Sequence, residues 1–205
     1  MVIIMYSLDA EKIKKAKTTH LLIIINIAFF IIFNPDYNFD WWLLLSQYNA
    51  AILYNKEFWR LITSIFLHGD IMHLFYNMFG LLIFGATTEN LTSKRFYITI
   101  YLISGLIGSI FSLILNSPNT ISIGASGSIF GLMGFCFIIL SRENPMVFIY
   151  GLIYLALAIS KSFEPGIGTW AHIFGLLTGI LTAYIFIRQK KRKEKKFKRL
   201  FYYSE

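Results

Sequence analysis

Six apolar runs separated by short polar or basic links most constrain what this chain can become. They cover about 19–33, 71–88, 96–115, 126–140, 146–160 and 170–187. A helix of roughly 20 apolar residues is what crosses a bilayer, and backbone inside lipid must satisfy its own hydrogen bonds. With 56% hydrophobic and only 15% charged residues in 205, the composition opposes a soluble domain. The expected fold is therefore all-α and polytopic: a six-transmembrane-helix bundle. A basic N-terminus (1–18) precedes one membrane domain (19–187), and a basic tail (188–205) follows it. The first run lacks a small-residue cleavage site and is followed by Asn34-Pro35-Asp36, so it reads as a span and not a signal peptide.

The charges give the orientation. If six helices alternate, sixteen of the nineteen Lys and Arg fall on one side, leaving Lys56, Arg60 and Lys161 on the other. The positive-inside rule then places both termini in the cytoplasm. The net charge of +8 thus belongs to a topology anchor that also meets anionic headgroups, and no nucleic-acid partner is expected. The connection 34–70 lies on the outer side. Its Trp41-Trp42 and Phe58-Trp59 suit the membrane interface, so short amphipathic helices partly within the outer leaflet are expected there.

Two polar side chains interrupt this apolar pattern. Ser126 lies in Gly124-Ala125-Ser126-Gly127 and His172 in Ala171-His172-Ile173-Phe174-Gly175. Such groups are costly in lipid and mark a path or cavity. Counting back from the inner ends of the fourth, sixth and second runs at 1.5 Å per residue puts Ser126, His172 and His73 about 21, 22 and 20 Å up. They share one plane, roughly 8–10 Å below the outer edge of a 30 Å hydrocarbon core. The link 116–125, with Pro118 and Gly124, opposes helix yet must descend to that plane. Irregular backbone at such depth requires protein burial or a water-filled cavity, so a short, partly buried fourth helix implies a wet pocket. Gly127, Gly131 and Gly134 on one stripe of the fourth run, with Gly175 and Gly179 one and two turns beyond His172, have the small-residue spacing that lets membrane helices approach closely.

A serine hydroxyl is a weak nucleophile that needs a base within hydrogen-bond reach, and a histidine can take and return its proton. No Asp or Glu occurs in the fourth or sixth run, which points to a Ser-His dyad. Ser126 also opens a helix, whose free N–H groups favour a developing oxyanion. His73 and Asn77, at i and i+4, share a helix face and can donate to the same oxyanion. Each residue alone has a plainer reading: Ser126 as a small helix-opening residue, His172 as an interhelical or proton-path group, Asn77 as interhelical glue. His68 and His20 read as interface residues. A transporter would spread polar groups through the full depth, whereas these cluster near one edge. The lone Cys136 excludes an intrachain disulfide or a multi-cysteine metal site and reads as a small apolar packing residue. Asn90-Leu91-Thr92 matches a glycosylation acceptor but falls on the cytoplasmic side. No HExxH or phosphate loop is present, so neither cofactor nor metal is expected.

In order along the chain, Trp59-Arg60, His68-Gly69-Asp70-Ile71-Met72-His73-Leu74-Phe75-Tyr76-Asn77, Gly124-Ala125-Ser126-Gly127 and Ala171-His172-Ile173-Phe174-Gly175-Leu176-Leu177-Thr178-Gly179 resemble the rhomboid family of intramembrane serine proteases. The resemblance spans about 57–179. It implies Ser126 as nucleophile, His172 as general base, His73 and Asn77 in the oxyanion hole, and Glu89 as a structural hydrogen-bonding residue. Many relatives carry a tyrosine four residues after the serine; Phe130 stands here, which keeps stacking on the histidine but loses the hydroxyl. The resemblance also implies the minimal six-helix prokaryotic form, in a cytoplasmic membrane with the pocket facing outward. Substrates would be single-pass membrane proteins cut within or near the outer part of their span, where small residues weaken the helix. Some relatives are inactive client-binding proteins, but these usually lack the serine or the histidine. By resemblance, the fifth helix and the link before Trp170, with Gly166 and Gly168, are candidates for the substrate gate.

Overall fold

The computed structural model describes residues 10–142, 146, 149 and 168–202. These are mostly helical. Helix α1 (Ala10–Lys15) leads into α2 (Lys17–Ile32); α3 (Phe39–Leu45), a strand β1 (Gln47–Tyr48), α4 (Asn49–Asn55) and α5 (Arg60–Thr63) follow. Then come α6 (Ile71–Leu91), α7 (Lys94–Leu115), a strand β2 (Ile121–Ser122), α8 (Ser126–Leu140) and α9 (Thr169–Tyr202). Helices α6, α7 and α9 are long and apolar enough to cross a membrane; α2 and α8 are apolar but shorter. The fifth run expected over 146–160, and the gate candidates apart from Gly168, lie outside the described residues.

Local chemistry sets the helix ends. Asp70 caps α6 by accepting from the His73 N–H at 2.8 Å, and Ser93 caps α7 by accepting from the Phe96 N–H at 3.3 Å, each meeting an orphan first-turn donor. Helix α8 starts on Ala125 without any side-chain cap. Within α6, Leu81–Gly85 form a π-helical turn. On the Ser126 side of this turn only Leu74 and Asn77 are buried, while Ile71, Met72, Phe75, Tyr76 and Phe79 face outward. From within the turn onward, Ile83 to Glu89 are buried without interruption. One wide turn thus joins a half-exposed segment to a fully packed one.

Polar anchors fix the two ends of the bundle. The Glu89 carboxylate accepts from the Thr18 N–H (2.9 Å) and, through its other oxygen, from the Thr19 N–H (2.8 Å) and Thr19 Oγ1 (2.9 Å). It thereby satisfies first-turn donors of α2, the stabilising arrangement for an anion at a helix N-terminus. At the other end the Arg60 guanidinium pairs with Glu57 and donates to the Leu43 and Ser46 carbonyls, tying α5 to the end of α3. The connection 34–70 is therefore folded into short helices, and β1 ties it to the link before Ser126. Gln47 pairs with Ser122 and Tyr48 with Ile121, while the Asn49 and Ala50 N–H groups donate to the Thr120 and Pro118 carbonyls.

The core lies where α7, α8 and α9 meet, with Tyr97, Ile100, Tyr101, Leu132 and Phe135 fully enclosed. Cys136 is buried there, 3.2 Å from Thr88 Oγ1. Helices α8 and α9 touch backbone to backbone. A Cβ at Gly179 would collide with the Gly131 carbonyl, and one at Gly175 with the Gly127 carbonyl. On α7, Gly108 does the same service: a Cβ would stand 2.7 Å from the Ala171 carbonyl oxygen. Gly179→Ala should lower stability by about 1–3 kcal/mol, the cost of overpacking a close contact. Gly168→Ala, whose Cβ would meet, among the described residues, only Ala171 Cβ at 3.6 Å, should leave it unchanged. Thermal unfolding in detergent reads the difference.

Candidate active site

The seam between α8 and α9 has a chemical consequence at its end. With the backbones in contact at Gly127 and Gly175, the first residue of α8 and the fourth residue of α9 face each other. His172 Nε2 lies 2.8 Å from Ser126 Oγ. The imidazole is buried, 7% exposed, and Phe130, one turn after Ser126, stacks on it at 4.3 Å between ring centroids and 5° between planes. Stacking fixes the ring plane and the hydroxyl contact fixes its rotation. A histidine whose Nε2 accepts from a serine carries its proton on Nδ1.

The approach to Ser126 needs a glycine. Gly124 has φ +114, a conformation L residues avoid, and a Cβ there would stand 2.8 Å from His73 Nε2. Its N–H donates to the Ser64 carbonyl at 2.9 Å, which holds the link down against the 3-10 turn Ser64–Phe66. His73 therefore reaches from α6 to the backbone just before Ser126. Asn77, one turn further along α6, donates one amide hydrogen to the His73 carbonyl at 2.8 Å; its second amide hydrogen is available to another acceptor. Helix α8 has no side-chain cap, so its N-cap residue meets none of the first-turn N–H groups. The first helical bond onto Ala125 comes only from the Ile129 N–H.

Ser126, His172, His73, Asn77 and Gly124 line one cavity of about 680 Å³. Its remaining wall mixes the polar groups Gln47, Ser64, Asp70, Ser109, Asn116 and Ser122 with the apolar Ile121, Ile123 and Ala171. Its polar groups can hydrogen-bond water, and irregular backbone inside a membrane domain is tolerated where it is buried in protein or lines a water-filled cavity. Gln47 is wholly buried and its amide donates to the Ser109 carbonyl at 3.0 Å and to Asn49 Oδ1 at 3.2 Å. Sequence reasoning missed these polar lining groups. The signal was the density of Ser and Asn at 109–122 together with a Gln in an aromatic loop, neither of which matches a motif.

His68, expected at the outer interface with only a structural role, is enclosed by protein. It is 1% exposed, and its ring meets the His73 ring edge-on at 5.1 Å. Burial, reinforced by the neighbouring His73, pushes its pKa down to about 3. It stays neutral at physiological pH and backs the His73 ring. Among the described residues no group of three or more His, Cys, Asp or Glu could hold a metal ion.

Comparison with known proteins agrees with this architecture. Residues 55–189 match the model of the Rhomboid domain. A Bacillus subtilis (strain 168) protein named as a candidate rhomboid protease, YdcA, is 33% identical over 158 residues, covering 73% of this chain and 77% of its own length. RHOMBOID-like protein 6, mitochondrial, of Arabidopsis thaliana is 35% identical over 153 residues, covering 72% of this chain and 50% of its own. Rhomboid-like protease 3 of Toxoplasma gondii is 27% identical over 168 residues, covering 78% and 64%. The chain thus spans about half the length of that plant relative and more of the other two. With two thirds of its residues inside the domain match and relatives in bacteria, plants and a protist, the chain is a membrane protein of the rhomboid family.

Proposed function

We propose that this chain is an intramembrane serine endopeptidase of six transmembrane helices. It cleaves single-pass membrane proteins within or near the outer part of their span. The observation that carries this reading is the 2.8 Å contact between Ser126 Oγ and His172 Nε2 at the edge of a cavity with polar lining groups inside an apolar bundle.

Ser126 Oγ attacks the scissile carbonyl carbon while its proton passes to His172 Nε2. The carbonyl oxygen becomes an oxyanion, and three donors converge on it: the Ser126 N–H at the uncapped start of α8, His73 Nε2 and the free amide hydrogen of Asn77. Donors fixed in place before the charge develops supply the largest part of such catalysis. Collapse breaks the C–N bond, and His172 returns its proton to the leaving amine. A water from the cavity then attacks the acyl-enzyme, giving its proton to His172, and Ser126 leaves with that proton restored. Substrate helices hide their carbonyls in hydrogen bonds, so local unwinding precedes attack. That favours small, helix-weakening residues at the cleavage site.

The charge distribution supports both termini inside, which opens the cavity toward the outer face, and the likeness to the minimal six-helix form supports a cytoplasmic membrane of a prokaryote. Membrane lipids and transmembrane substrates are then the partners, and the chemistry uses no cofactor.

Ser126→Ala, incubated in liposomes with a labelled single-span substrate, should cut at least roughly 10⁴-fold more slowly than the parent chain; unchanged cleavage rejects the reading. Gly124→Ala should lower kcat by roughly 10²–10³-fold, the usual effect of losing one oxyanion donor, with KM little altered. The added methyl falls first against His73 Nε2, so the loss is expected in kcat. Steady-state kinetics on the same substrate separates the two constants.

A further inference from the structure

A second cleft lies at the opposite end of the α8–α9 seam from the catalytic pair. It has a volume of about 330 Å³ and is lined by Ile139 and Arg142 from the end of α8 and by Phe186, Ile187, Lys190, Lys191 and Glu194 of α9. Nothing in the hydrolytic chemistry uses it.

Three observations bear on what fits there. First, the α9 residues form a stripe: Phe186, Lys190 and Glu194 are each four apart, as are Ile187 and Lys191, so they stack along one helix face. The stripe changes from apolar to basic along that face. Second, the floor is rigid. Phe186 packs on Phe96 at 5.4 Å and on Phe135 at 5.6 Å between ring centroids. The rim groups Arg142, Lys190 and Lys191 are exposed. Third, the level is right. Lys190 lies 18 residues beyond His172 on one helix, about 27 Å along its axis. With His172 several ångströms inside a hydrocarbon core of about 30 Å, the ammonium reaches the headgroup layer of the opposite face.

From these we infer that the cleft is a binding site for one anionic glycerophospholipid. Its phosphodiester sits among Arg142, Lys190 and Lys191, and the first carbons of its acyl chains lie on Ile139, Phe186 and Ile187. Guanidinium groups grip phosphate oxygens with two parallel hydrogen bonds and lysines act as point charges. Three cations face one carboxylate, Glu194, so the site carries a surplus positive charge. A choline headgroup would bring its own cation against that surplus, whereas a glycerol headgroup brings none. The inference concerns the membrane end of the bundle and stands whether or not the chain hydrolyses peptides.

The test uses the full chain, delipidated in detergent and offered equal amounts of phosphatidylglycerol and phosphatidylcholine with identical acyl chains. Native mass spectrometry reads which lipid is retained. The parent chain should hold one phosphatidylglycerol with about tenfold preference or more, as expected for several basic residues acting together. Arg142→Gln/Lys190→Gln/Lys191→Gln should lose the preference, while Lys195→Gln/Lys196→Gln/Lys198→Gln, which removes the same charge further along α9, should keep it. Glu194→Gln should strengthen retention. Absence of preference in the parent chain, persistence of it in the first variant, or equal loss in both triple variants would overturn the site; the last outcome would mean diffuse attraction to the basic helix.

Discussion

Contact between two helix backbones is the constraint on which the molecule rests. Gly127 and Gly131 of α8 lie against Gly175 and Gly179 of α9 so closely that a single added methyl would collide with a carbonyl. Helices in lipid gain little from burying apolar surface against each other, because the lipid is equally apolar, so shape fit decides the pairing. This seam aligns the first residue of α8 with the first turn of α9. The hydrogen bond between Ser126 and His172 is a product of the packing, and Phe130 completes it by flattening against the imidazole.

The seam alone would leave the pair sealed in the bundle. Access comes from the irregular link, which is held down by the Gly124–Ser64 hydrogen bond and by the two-residue ladder between β1 and β2. This ladder couples the folded connection 34–70 to the floor of the cavity. The positive φ of Gly124 lets the chain turn into α8 without a side chain, and the space so spared is occupied by His73. Backbone geometry, access and the placement of His73 meet at one glycine.

Much of this was legible because lipid makes polarity expensive. Ser126, His172, His73 and Asn77 stood out in apolar surroundings, and a common depth could be counted from helix rise alone. The ends of α8 were equally readable, since Gly124 and Ser126 mark one and the polar residues after Leu140 the other. What stayed hidden lacked periodicity. Gln47 and Ser122 form a ladder of two residues, too short for alternation to register. The π turn at Leu81–Gly85 has no residue signature. His68 read as an interfacial residue because sequence distance from a helix start cannot reveal that it packs under His73. The basic tail showed as charge, but its continuation as an unbroken helix from Thr169 to Tyr202 was visible only in three dimensions.

Reactivity of the serine is the most direct measure of whether this packing creates a nucleophile. The folded chain, treated in membranes with a fluorophosphonate and then digested for mass spectrometry, should carry the label on Ser126. His172→Ala should slow that labelling by orders of magnitude without loss of fold. An unlabelled Ser126 in the intact protein, or labelling indifferent to removal of the imidazole, would contradict the account.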